Sequence, residues 1–297
     1  MNTIWCQWSD LNLPSEFKLV SDPISSLTQD QLDEIDIYVP KYMGGKDALS
    51  VIPQLTNLKI IQLLMAGYDD VLPFKRPHLK LYNARGVHDF STAELTLGLI
   101  IASLRGIDTF IHSQSQGIWN HQRLDSLYGK RVGIVGAGSV AQKIRDLLIP
   151  FEIKPVLFGQ TARDEVRSIA ELDSIIGDLD IVILIVPLTE ETRNLMDEKR
   201  IAAMKSGALL VNVARGPVVN TQALVQALNS GHIKAVVDVT DPEPLPEQHP
   251  LWRAPNIIIS PHVGGDSAAF EPHGRALVEA QCQRLSKGQA LINEITW

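Results

Sequence analysis

Cysteine is nearly absent. The two in 297 residues, Cys6 and Cys282, are too few and too far apart in sequence for a disulfide framework or a cysteine-based metal site. Free thiols in a reducing compartment are the expectation. Seven of the eight histidines show no metal-ligand spacing, and no metal is assigned. Positive charge is also short: 27 Lys and Arg against 34 Asp and Glu leave a net charge of −7, which argues against a general nucleic-acid binder. Any anionic ligand must therefore be attracted by local cations. The longest apolar runs, such as "IVILIV", fall well short of the ~20 residues that span a bilayer. The start "MNTIWCQWSD" lacks the cationic and apolar regions of a secretory signal. These absences predict a soluble cytoplasmic protein with neither membrane nor nucleic acid as partner.

What is present is an alternation of short buried-strand patterns with helical ones. "RVGIVG", "PVLFG", "IVILIVP", "ALLVNVA", "AVVDV" and "NIIIS" are nearly continuous apolar runs, as in strands covered on both faces. Helix candidates such as "SVAQKIRDLL" and "TQALVQALNSG" lie between them, and the order implies a doubly wound parallel sheet. Ahead of it, "FKLVS", "DIYVP", "LKIIQLL" and "LKLYNA" suggest a smaller α/β domain. The segment "STAELTLGLIIASLR" has a capping-box spacing from Ser91 to Glu94 and apolar residues nearly all round. A last helix around Ala276 to Lys287 is expected to return to the smaller domain. The predicted arrangement is a discontinuous domain, residues 1–90 and 268–297, holding a dinucleotide-binding domain, residues 91–267, with a cleft between them. Pro272 and Gly274 stand where a regular helix would continue, so they are expected to bear on where the second crossing falls.

"VGIVGAGSVAQKI" places Gly136, Gly138 and Ala141 in a G-x-G-x-x-A turn between a strand and a helix. Such a turn lets backbone approach a pyrophosphate at a helix N-terminus, here Ala137, Gly138, Ser139 and Val140. About 20 residues on, the acid that usually holds the adenosine ribose is missing. Gln160 stands there, with Arg163 as the nearest charge. A neutral residue does not repel a 2′-phosphate and an arginine can pair with one, so the reading is NADP in preference to NAD.

Three further patches end strands: Arg215 in "LLVNVARGPVVN", Asp238 and Glu243 in "VVDVTDPEPLPEQHPLW", and His262 in "IIISPHVGGD". Together they supply a fixed cation, carboxylates and an acid–base group on one rim of a sheet.

In these patches the chain resembles the D-isomer-specific 2-hydroxyacid dehydrogenases, and most of all the glyoxylate/hydroxypyruvate reductases among them. "LLMAGYDDV", "NARGVHDFSTAELTLGLIIASLR", "LYGKRVGIVGAGSVA", "VPLTEETRNLMDEKRIAAMKSGALLVNVARGPVVN", "DVTDPEPLPEQHPLW" and "SPHVGG" match family signatures in order. The resemblance implies a Rossmann domain inserted into a flavodoxin-like substrate domain, and dimers packed through the former. It implies that Arg215 grips a 2-keto acid, that backbone N–H groups near Ala66 and Gly67 hold its carboxylate, and that His262 exchanges the proton. Glu243 would orient the imidazole and favour its acid form. Asp238 would contact the nicotinamide carboxamide, and Pro187, Thr192, Ala214 and Gly264 fall on weaker cofactor positions. Met65 and Trp119 either shape the pocket or simply pack. Glu243 stands where formate-oxidising relatives have glutamine, and Ala66 where phosphite-oxidising ones have lysine, which argues against both substrates. The alternative is a nucleotide-sensing binding protein like the corepressors that share the fold.

Overall fold

In the computed structural model, which describes residues 1–297, the chain divides into two units at His88 and Ser267. Residues 1–88 form β1 (Asn2–Trp5), β2 (Phe17–Val20), α1 (Gln29–Asp33), β3 (Ile37–Tyr38), α2 (Gly45–Ser50), β4 (Ile60–Gln62) and β5 (Lys80–Tyr82). The second unit, residues 89–267, begins with α3 (Asp89–Arg105), α4 (Ile107–Ser115), β6 (Val132–Val135), α5 (Ser139–Leu148), β7 (Val156–Gly159) and β8 (Val166–Ser168). It continues through β9 (Ile181–Leu184), α6 (Glu198–Ala203), β10 (Leu209–Asn212), α7 (Thr221–Asn229), β11 (Lys234–Val237) and β12 (Ile257–Ile259). The chain then returns to the first unit with α8 (Phe270–Ser286) and β13 (Glu294–Ile295). No single helix is long and apolar enough to cross a membrane.

The first unit's sheet runs β13-β5-β4-β3-β1-β2, with β1 to β5 parallel and β13 antiparallel beside β5. Read from β2, this is the 2-1-3-4-5 order of the flavodoxin-like fold. The second sheet, β12-β11-β10-β9-β6-β7-β8, is parallel throughout. It starts at β6, winds outward to β8, then restarts at β9 on the other side, which is the Rossmann order. The reversal lies between β6 and β9, and open sheets of this kind take ligands at the carboxyl ends of the strands beside it.

Every residue of β6, β9 and β10 is buried, which accounts for the unbroken apolar runs. Side chains alternate across the sheet. Val182, Leu184 and Leu210 join a core with Ile201, Leu224 and Leu228, while Ile181, Ile183, Leu209 and Val211 join one with Ile100, Ile144 and Leu148. Each buried Leu, Ile or Val stabilises the fold by about 1.5–3 kcal/mol.

Two helix starts differ from the sequence reading. α3 begins at Asp89, two residues before the expected boundary, so Ser91 is inside the helix and not its cap. Its Oγ lies 2.7 Å from Oγ of Ser267. α8 begins at Phe270, six residues before Ala276. Pro272 is its third residue, within the first turn, where no intrahelical N–H bond is lost. Gly274 does not break the helix: a Cβ there would lie 3.0 Å from Trp8 and 3.1 Å from Phe270, so the glycine admits close packing.

Where the chain leaves and re-enters the first unit, the rings of His88 and Phe270 are stacked at 5.5 Å, and Phe270 stacks on Tyr42 at 3.6 Å. Cys6 and Cys282 are buried in the same core. Burial pushes their thiols up to about 11 and about 12, so both are protonated and inert at neutral pH.

Candidate active site

The glycine turn follows β6. Gly136 has φ +130°, and a Cβ there would stand 2.2 Å from the Ile185 carbonyl oxygen, so only glycine fits. Gly138 is the N-cap of α5 and offers no side-chain cap. A Cβ on it would meet nothing within 4 Å, which leaves that side open. Ala141 is fully buried and keeps α5 against the sheet. An uncapped ten-residue helix with open space beside its N-cap Gly138 fits the diphosphate of a dinucleotide. Ala137, Ser139 and Val140 complete this turn, in which the helix starts at Ser139.

Gln160 and Arg163 leave the adjacent strand β7, and both are exposed. Backbone bonds between Arg163 and Val166 (2.9 and 2.8 Å) close the turn into β8. The guanidinium Nη2 of Arg163 donates to the Ala137 carbonyl at 3.2 Å, so this cation lies against the glycine turn. After β9, the Thr192 hydroxyl donates to the Pro187 carbonyl and accepts from the Thr189 N–H, each at 2.7 Å. Thr192 thereby shapes this loop from within.

Beyond β10 the buried Asn212 organises the arginine loop. Its Oδ1 accepts from the Ala214 N–H at 3.1 Å and its Nδ2 donates to the Arg215 carbonyl at 3.0 Å. Arg215 Nη1 donates to the Ala214 carbonyl at 2.7 Å. Gly216 then passes so close to the next loop that a Cβ would lie 1.9 Å from the Thr240 carbonyl oxygen. The loops bearing Arg215 and Glu243 are thus locked together by a glycine.

Glu243 and His262 meet: Nδ1 of the imidazole is 2.5 Å from Oε1 of the carboxylate. The other oxygen of Glu243 accepts from the Thr240 N–H at 3.4 Å. Both side chains keep 40% exposure, so the ring is held and still reachable. His262 has φ +56°, the left-handed region that a non-glycine residue takes only when its surroundings require it. Asp238 supplies the requirement. Its backbone carbonyl accepts from the His262 N–H at 2.7 Å, and its 3%-exposed carboxylate accepts from Ser260 Oγ (2.6 Å), Val263 N–H (3.0 Å) and Gly264 N–H (2.8 Å). Asp238 is therefore the anchor of the histidine loop. Asn212 and Ser260 were not singled out in the sequence; the one signal was a polar residue closing the apolar run "LLVN".

Ala66 and Gly67 belong to the first unit, in the loop after β4. The carbonyls of Met65 and Ala66 accept from the Ala84 N–H (2.9 Å) and Asn83 Nδ2 (2.7 Å). Trp119 is 94% exposed, so the packing role considered for it is not realised within this chain.

Residues 97–264 match the family model described as D-isomer specific 2-hydroxyacid dehydrogenase, NAD binding domain. A glyoxylate reductase of Thermofilum pendens is 36% identical over 262 residues, covering 82% of this chain and 77% of the relative. A hydroxypyruvate reductase of Thermotoga maritima is 31% identical over 258 residues, 84% of each chain. The crystal structure of a D-isomer specific 2-hydroxyacid dehydrogenase family protein from Aeromonas salmonicida superposes with a TM-score of 0.87 at 27% identity, covering 99% of each chain.

Proposed function

The chain belongs to the D-isomer specific 2-hydroxyacid dehydrogenase family and is an oxidoreductase with an NAD(P)-binding domain; on that premise we propose that it reduces a small 2-keto acid, glyoxylate or hydroxypyruvate, with NADPH preferred over NADH. The observation that carries the reading is the 2.5 Å contact between His262 and Glu243. It fixes Nδ1 as the end of the ring that faces a carboxylate and leaves Nε2 to serve the substrate.

A bound reduced nicotinamide supplies the hydride. Arg215 holds the substrate carboxylate and carbonyl oxygen by charge-assisted hydrogen bonds and draws electron density from the carbonyl carbon. His262 gives its proton to the carbonyl oxygen as the carbon is reduced, and the product is the D-2-hydroxy acid. Glu243 balances the imidazolium before transfer and keeps the ring's orientation after it. The N–H groups of Ala66 and Gly67 take the substrate carboxylate. Asp238, whose carboxylate also accepts from Ser260, Val263 and Gly264, contacts the nicotinamide carboxamide in this reading, with Gly264 beside it. Substrates named for the Thermofilum and Thermotoga relatives support the choice of keto acid. Arg163, lying against Ala137 in the absence of a ribose-binding acid, supports the choice of NADPH. Exposed Ile111, Trp119 and Tyr128 support a second copy of the chain as the partner of this segment.

A panel of 2-keto acids, assayed with each reduced cofactor by loss of nicotinamide absorbance, tests the reading. Glyoxylate and hydroxypyruvate are expected to give the highest kcat/KM, and NADPH to exceed NADH. Replacing Arg163 with alanine should lower the NADPH value about tenfold and spare NADH. A wild-type preference for NADH overturns the cofactor assignment. Tight nucleotide binding without turnover of any keto acid overturns the enzyme assignment in favour of nucleotide sensing.

A further inference from the structure

We propose that Asn83 is a positioning residue for substrate binding: it turns the Ala66–Gly67 peptide so that two consecutive N–H groups present themselves to the carboxylate of the keto acid. The proposal rests on the reading that those N–H groups take that carboxylate, and it assigns the residue that makes them available.

The geometry comes from two hydrogen bonds and the planarity of the peptide. The Met65 carbonyl accepts from the Ala84 N–H at 2.9 Å, and the Ala66 carbonyl accepts from Asn83 Nδ2 at 2.7 Å. In a trans peptide the N–H points opposite to the C=O. Tying both carbonyls to residues 83 and 84 therefore sends the N–H groups of Ala66 and Gly67 the other way. Successive N–H groups of this kind form an anion-binding concavity. The first carbonyl is held by backbone, which any residue at position 84 except proline would supply. The second depends on the Asn83 side chain alone.

Asn83 is suited to this by more than its reach. It is 7% exposed, and burying an amide is unfavourable unless its groups are paired. Its partners fix which end is which: a carbonyl at Ala66 can only accept, while the Arg85 N–H donates to Oδ1 at 3.2 Å. The backbone of Asn83 is held as well, its N–H donating to the Asn293 carbonyl (3.1 Å) and its carbonyl accepting from Gln62 Nε2 (3.2 Å). Gln62 in turn accepts from Gln281 of α8 at 2.8 Å, and Gln281 exchanges hydrogen bonds with the Ile292 backbone at 2.9 and 3.1 Å. A line of buried amides thus runs from α8 through β4 to the loop. An ionised aspartate or a leucine of the same size could fill the space but could not donate to Ala66.

The test uses the full-length wild type, Asn83→Ala and Asn83→Asp, with glyoxylate and hydroxypyruvate varied at saturating NADPH. Cofactor affinity is read separately by fluorescence titration. Asn83→Ala should raise the keto-acid KM about tenfold, with kcat less affected and cofactor Kd within about twofold of wild type. Asn83→Asp carries the discriminating readout. As a carboxylate it cannot donate to Ala66, but its protonated form can, and burial favours that form. Its KM, relative to wild type at each pH, should fall between about pH 7 and pH 5, while that of Asn83→Ala stays level. This pH profile suffices even if Asn83→Ala fails to fold. A wild-type KM in Asn83→Ala, a loss shared equally by cofactor binding, or a level profile for Asn83→Asp overturns the proposal and leaves the parent reading intact. A wild type that turns over no keto acid overturns both.

Discussion

Nδ1 of His262 lies 2.5 Å from Oε1 of Glu243, although the two residues leave different strands and the histidine occupies a left-handed backbone conformation. The pair survives because Asp238 holds the His262 backbone and Gly216 holds the loop that carries Glu243. Removing the ring should cost proton transfer and spare nucleotide binding. His262→Ala is expected to lower kcat about 10²–10⁴-fold with cofactor Kd unchanged, and Glu243→Gln to lower it by a smaller factor. Steady-state kinetics beside cofactor titration check this; near-native turnover in His262→Ala would remove the residue from the mechanism.

The two glycines of the cofactor turn should respond oppositely to alanine. Gly136→Ala drives a Cβ into the Ile185 carbonyl at a positive φ, so it should destabilise the fold by about 3 kcal/mol or more. Gly138→Ala meets no protein atom and should change stability by less than about 0.5 kcal/mol. It should instead weaken cofactor binding about tenfold, because the methyl fills the space a diphosphate needs. Urea unfolding and cofactor titration of both variants separate the outcomes. Unweakened nucleotide binding by Gly138→Ala would argue against a diphosphate there.

Asp180, at the other end of β9, should contribute to acid sensitivity. Burial acts to raise its pKa, but hydrogen bonds from Lys205 (2.6 Å) and the Arg131 N–H (2.8 Å) outweigh it and hold the carboxyl below the usual range. A depressed folded-state pKa contributes stability above the unfolded value, and that contribution is lost as pH falls through the folded one. Lys205 is half exposed, so solvent screens part of the gain. Asp180→Asn should therefore cost about 1 kcal/mol near neutrality and progressively less below about pH 4. Denaturant titrations across pH read the difference directly; a gap that is constant with pH would show that the charge is not responsible.

The strands of the second sheet could be read from the sequence because burial on both faces leaves no room for polar residues. β8 is not legible because it is a three-residue edge strand with an exposed arginine at its centre, and β1 because its four residues, ending in Trp5, carry no periodic signal. For α3, Ser91 and Glu94 satisfy a capping-box spacing, yet the helix already begins at Asp89 and the Ser91 hydroxyl instead meets Ser267, 176 residues away. For the candidate site, the individual residue types stand in the sequence, but their supports do not. Nothing local says that Asp238 receives Ser260, Val263 and Gly264, or that Asn83 reaches Ala66, since these bonds join strand ends brought together only by the sheet.

The stacking of His88 on Phe270 places both ends of the excursion through residues 89–267 side by side in the host unit. The polypeptide exits and comes back through one doorway, so a linker of a few residues could suture 88 to 270 without unthreading a strand. The nucleotide-binding part is thereby spliced into its host at a single place, with both junctions beside one stacked pair of rings.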